Sequence, residues 1–292
     1  MQIKNRARIG TVLALGAALL TGCATTPYHF GTALDYHPAP PLSENEPQIE
    51  WGKPNRFLDA CDWIWPGSLL GKLILWNRKV DSHQVSKQTE DVLKAYLASN
   101  NLDRVKVRIN QYHPGGELGR TVRNKSVGFG WRYTIGLLGW LQYTILPQRF
   151  FGGDNFNPYS NTLNIYSDIP AITVHEGGHS KDFAEKKLKG TYAFIYVIPF
   201  VNLWHEAQAS NDALSYAQET DYELQREGYK ILYPAYATYI AANLSYLAPA
   251  LGYPIMAACV VPAHIIGRIK ASGVPDEPNE PAPVPEAVNP QN

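Results

Sequence analysis

Residues 231–267 contain no Asp, Glu, Lys or Arg, and a stretch of that kind belongs either in a protein core or in a bilayer. Lys230 and Arg268 stand at its outer ends, and Pro249-Ala250-Leu251-Gly252 divides it into two halves. Each half is close to the shortest helix that crosses a bilayer, about 17 residues. Pro234, Pro254 and Pro262, with Asn243, His264 and many alanines and tyrosines, favour a pair of packed core helices. A membrane hairpin is the alternative, because apolar halves with charged flanks are its pattern too.

The beginning of the chain reads as an export segment. Lys4, Arg6 and Arg8 precede an apolar run from Ile9 to Leu20, too short to span a bilayer and suited to a cleaved signal peptide over residues 1–22. Leu20-Thr21-Gly22-Cys23 resembles the bacterial lipobox. That resemblance implies cleavage before an acylated Cys23, and Ala24 in place of aspartate implies sorting to the outer membrane, as in Gram-negative lipoproteins. Several acyl chains on one cysteine give stable anchoring, each buried CH2 contributing about 0.8 kcal/mol. An ordinary signal peptide with an incidental cysteine is the alternative.

Loss of three of the 26 basic residues leaves the 26 acidic ones in slight excess, so no nucleic-acid footprint remains. After Cys23 only Cys61 and Cys259 are left; export permits a disulfide between them, and two buried thiols are equally expected. Residues 23–50 read as a tether. Residues 273–292, rich in proline and acidic, read as a disordered tail. One domain of residues 51–272 remains.

Within it, residues 82–100 place Val85, Val92, Leu93, Tyr96 and Leu97 at helical spacing behind a Ser82 cap. Residues 104–112 alternate as a strand, and His113-Pro114-Gly115-Gly116 reads as a turn. Residues 134–146 are apolar and aromatic, which predicts a buried helix. Residues 162–166 alternate as a half-exposed strand, with Asp168 and Pro170 then supplying an N-cap and a first-turn proline. Another helix is expected over residues 201–219.

The helix that follows Pro170 carries His175-Glu176-Gly177-Gly178-His179. Histidines four apart share a helix face and can reach one ion, while Glu176 is angled beside that ion, where it can accept a proton from water. With 8 His in 292 residues, such a match arises by chance about once in a hundred chains of this composition. Two interior glycines cost a helix about 1 kcal/mol each, so small size at 177 and 178 serves close approach of a partner strand or of substrate.

Two histidines leave a zinc ion one protein ligand short. A metzincin-like ligand is disfavoured, because Asp182 and Glu185 occupy the places where that pattern has Gly and His. Residues 204–212, Trp-His-Glu-Ala-Gln-Ala-Ser-Asn-Asp, resemble the second motif of gluzincins, the thermolysin-like zincins. The resemblance covers roughly 50 residues and implies Glu206 as third ligand of one zinc per chain. Its usual orienting aspartate would fall at Ser210, so Asp212 is considered for that place instead. Glu185 is held as reserve ligand, and His205 as a substrate contact or a histidine packed on Trp204. Tyr216, Tyr222 and His264 are possible oxyanion stabilisers.

The expectation is therefore an α+β, zincin-like domain with a small sheet, an active-site helix and a largely helical C-terminal part. It would be a lipid-anchored zinc metallopeptidase acting on a peptide or protein substrate, with Glu176 as general base. The edge strand that receives substrate is expected at residues 161–166. An integral-membrane zincin and a non-catalytic metal-binding lipoprotein are the competing readings.

Overall fold

The computed structural model describes residues 26–31, 38–43, 45–53, 57, 59–60, 65–146 and 153–276. The acylation signal, Cys61 with its possible bond to the buried Cys259, and most of the expected tail lie outside the described residues. The fold is α+β and mostly helical. In chain order its elements are β1 (Ile49–Trp51), α1 (Pro66–Leu75), α2 (Lys87–Ser99), β2 (Lys106–Ile109) and α3 (Pro114–Arg123). A helical turn at Phe129–Trp131 and a π turn at Arg132–Gly136 lead into α4 (Leu137–Ile145). There follow β3 (Asn155–Asn157), β4 (Thr162–Ile165), α5 (Pro170–Ala184), α6 (Lys189–Ile195), α7 (Val201–Thr220), α8 (Tyr222–Leu247) and α9 (Gly252–Ser272).

The strands form one sheet in the order β1-β2-β4-β3, parallel except for the antiparallel β3–β4 pair. β2 and β4 are therefore interior strands, and both bury every residue. That corrects the half-exposed reading of residues 162–166 and their assignment as the edge. The edge beside α5 is β3. One face of the sheet sends Val107, Ile109, Leu163 and Ile165 into the main core. The other buries Lys106 and Arg108, which are neutralised by Glu50 and Glu117: Lys106 Nζ lies 3.1 Å from Glu50, and Arg108 Nε 2.7 Å from Glu117. Alternation in the sequence was real, but its polar face is capped by ion pairs under α3 rather than by water.

His113–Gly116 opens α3 instead of making a turn, with Pro114 at its first position where the missing N–H costs nothing. Residues 134–146 are helical as expected but not buried, for Leu138, Leu141 and Ile145 are exposed. The segment expected as a tether joins the fold: Tyr28 and Ala39 are buried, and Ile49–Trp51 is a strand.

Two helix starts are braced by residues from elsewhere in the chain, although the N-cap of α2 is its own Ser86, whose side chain accepts from Thr89 N. α2 starts at Ser86, not Ser82, and Asp168 accepts from Ser86 N (2.9 Å), Ser86 Oγ (2.6 Å) and Thr89 Oγ1 (2.6 Å). Asp168 thus serves α2 rather than α5. The first turn of α5 is instead satisfied by Glu227, which accepts from Ala171 N at 3.0 Å.

The charge-free stretch becomes the second half of α8, a single 3-10 turn at Pro249–Leu251, and most of α9. α8 is a core helix: Ile231, Leu232, Tyr233, Tyr236, Ala237 and Ile240 are all buried. α9 with the preceding turn, Pro249–Ser272, is long and apolar enough to cross a membrane, and 33% of its most apolar window is buried.

Candidate metal centre

α5 and α7 pack closely enough that a Cβ on Gly178 would lie 3.1 Å from the Ala209 carbonyl oxygen. On the adjoining face, a Cβ on Gly177 would lie 2.5 Å from the Tyr96 ring of α2. The paired glycines therefore let two helices approach α5, and not a partner strand. This close approach brings the His175 and His179 imidazoles of α5 against Glu206 of α7.

The three side chains are buried, and their donor atoms converge. His175 Nε2 and His179 Nε2 are 3.2 Å apart, and Glu206 Oε2 lies 3.3 Å from the first and 3.5 Å from the second. Glu206 Oε2 accepts no hydrogen bond although it is buried. A buried carboxylate oxygen in that condition is costly unless a cation completes it. The group is one that could hold a metal ion. Burial alone would raise the Glu206 carboxyl, yet His179 and His175 beside it hold it well below the usual carboxylate range.

A hydroxyl adjoins each imidazole. Ser210 Oγ lies 3.3 Å from His175 Nδ1, and the Tyr196 hydroxyl 2.8 Å from His179 Nδ1. Tyr196 also donates to Glu206 Oε1 at 3.1 Å, so one phenol ties two members of the group together. Ser210 stands one helical turn after Glu206 and shares its face of α7. Asp212 is turned away: it pairs with Lys181 at 2.9 Å and accepts from Tyr96 and Tyr28. The orienting place considered for Asp212 is held by Ser210.

Glu176 is buried beside the group. Burial and the neighbouring Glu206 and Asp154 carboxylates push it up to about 8 against the opposing effect of His175, and it accepts from the Phe156 N–H of β3. Glu185 lies at the C-cap of α5 near Lys186 and outside the converging group. His205 is fully buried, stacked on Tyr196 at 4.1 Å between ring centroids and flanked by Tyr192 and Trp204. Its Nδ1 lies 3.9 Å from Asp182 Oδ2.

Of the three possible oxyanion stabilisers none is here. Tyr216 packs on Tyr28 and Tyr96, Tyr222 opens α8, and His264 bonds the Ile74 carbonyl under Trp76. The phenols that do approach are Tyr196 and Tyr239; the latter is partly exposed and raised by Glu206 and by burial. Neither stands at a fixed spacing from the motif, so among 18 tyrosines no local signal marked them. No known protein family, curated protein or solved structure matches this chain.

Proposed function

We propose that this chain is a zinc metallopeptidase of the zincin type, held at the cell envelope by acylation of Cys23. The observation that carries the reading is the donor triangle of 3.2, 3.3 and 3.5 Å. Ligands about 2.0–2.1 Å from a tetrahedral zinc are about 3.3–3.4 Å apart, so His175, His179 and Glu206 match one zinc with a fourth position left for water. When bound, zinc would supply Lewis-acid activation of water and of a substrate carbonyl.

The chain's own groups support hydrolysis. Glu176, buried beside the ligand group and next to His175 on α5, takes the proton from water and passes it to a leaving amine. The Phe156 N–H faces Glu176 at the edge of the sheet, so an extended peptide adding to β3 would lie across the centre. The Tyr239 hydroxyl, beside Glu206, is placed to donate to a developing oxyanion.

The test pairs metal content with hydrolysis of a peptide library. The unmutated chain should carry one zinc, lost in both His179→Ala and Glu206→Ala, whereas Glu176→Gln should keep zinc and lose cleavage. Zinc with no cleavage of any peptide, unchanged by Glu176→Gln, would leave a metal-binding lipoprotein. Absence of zinc from the unmutated chain would overturn the proposal.

A further inference from the structure

α1 is built inside out. Its polar side chains Ser68 and Lys72 are buried, Lys72 donating to Ser68 Oγ and to the Asp81 carbonyl. Its outward face is Trp65, Leu69, Leu70, Leu73 and Trp76, with Leu73 62% exposed. A helix in contact with water presents the opposite pattern. α9 carries a matching stripe: Tyr253, Ala257, Val261, Ile265 and Ile269, each four residues from the last, are all exposed. Over these 16 residue steps the stripe rises about 24 Å and, gaining about 40° at each step of four, winds about 160° around the outward side of the helix. The two faces meet where Trp76 stacks on His264 at 3.9 Å and His264 Nε2 donates to the Ile74 carbonyl at 2.7 Å.

We infer that the outer faces of α1 and α9 together dock on the surface of a lipid bilayer. The order of side chains selects this occupant over a protein. Between Trp65 and Trp76 on α1, and from Ala257 to Ile265 along the α9 stripe, the outward residues named are aliphatic, whereas a protein interface carries about one hydrogen bond per 100–200 Å². Trp65 and Trp76 bracket the leucines of α1, and Tyr253 opposes Arg268 and Lys270 on α9. Aromatic and basic groups at the ends of an aliphatic patch are the arrangement that settles at the headgroup level. The acylation of Cys23 in the proposed function, on which this one step rests, would bring the chain to such a surface. α8, buried against the other side of α9, keeps the hairpin in the fold, so the helices lie on the membrane instead of crossing it. The docking does not depend on the metal centre.

The test uses residues 23–292 carrying Cys23→Ser, which retains every described residue and removes the acyl chains. This chain should sediment with vesicles of phosphatidylethanolamine and phosphatidylglycerol. Leu73→Glu and Ile265→Glu should each weaken the partitioning tenfold or more, while Ile145→Glu, on the exposed face of α4, should leave it unchanged. Vesicles of brominated phosphatidylcholine should quench tryptophan fluorescence, and less so in Trp76→Phe, which adds no charge and reads the same contact if the glutamate variants do not fold. Failure of the unacylated chain to bind vesicles, or binding equal in all variants, overturns the inference. So does a dimer in the absence of lipid that Leu73→Glu dissociates, for the face would then belong to a second copy.

Discussion

At the residue scale the centre turns on Ser210. The gluzincin resemblance wants a carboxylate one turn after the glutamate ligand, and this chain has a hydroxyl there, 3.3 Å from His175 Nδ1. A serine fixes the ring's orientation without adding a second negative charge beside Glu206. Ser210→Ala should weaken zinc binding about 10–100-fold, the usual cost of losing a group that orients a ligand histidine, measured by competition with a chromophoric chelator. Under the proposed function, Tyr239→Phe acts on the reaction and not on the metal. It should lower kcat about 100-fold with zinc content and KM unchanged; a loss confined to KM would make Tyr239 a binding residue. His175, Glu176 and His179 were legible in the sequence because one helix turn fixes their relation. Glu206 was legible only through the resemblance, and Tyr196 and Tyr239 not at all, since their approach depends on where α6 and α8 pack.

At the scale of elements, α5 is held by contacts that tolerate no extra atom. A methyl group on Gly177 would enter the ring of Tyr96, which is fully buried and whose hydroxyl is engaged by Asp212. Gly177→Ala should therefore destabilise the fold by about 1–3 kcal/mol, as overpacking does, despite the better helix propensity of alanine, and urea unfolding would show it. The pin between α2 and the β4–α5 connection makes a second prediction. Burial opposes ionisation of Asp168, but the hydrogen bonds from Ser86 and Thr89, with Lys79, hold its carboxyl at about 2. An unfolded aspartate titrates near pH 4, so the folded state gains from the charge fully above that pH and loses it as pH falls towards 2. Asp168→Asn should lower stability at neutral pH by about 1–3 kcal/mol, with the difference from the parent shrinking below pH 4. A pH-independent difference would mean that shape, and not charge, holds the pin. Helix existence was legible from periodicity, whereas the bracing of the helix starts was not, because Asp168 and Glu227 reach α2 and α5 from distant positions.

At the scale of the whole molecule, the charge-free stretch was the ambiguous feature, and the structure divides it: α8 is core, and α9 is core on one side and exposed on the other. Composition cannot make that division, because the buried and outward residues of α9 are equally apolar. The metal centre makes the clearest global prediction, because it joins α5, whose glycines seat it against α2 and α7, to the helix that leads into the α8–α9 hairpin. A ligand that binds only the folded chain stabilises it by about 4 kcal/mol at a thousandfold excess over Kd. For a domain of this size each kcal/mol moves Tm by about 2–4 °C. Chelation should thus lower Tm by about 10 °C and readdition of zinc should restore it. The metal-free chain should remain folded, since α5 is also held against α2 and α7 by the close packing at Gly177 and Gly178. Glu206→Ala should show no chelator-dependent shift; a shift of parental size in that variant would place the metal elsewhere in the fold.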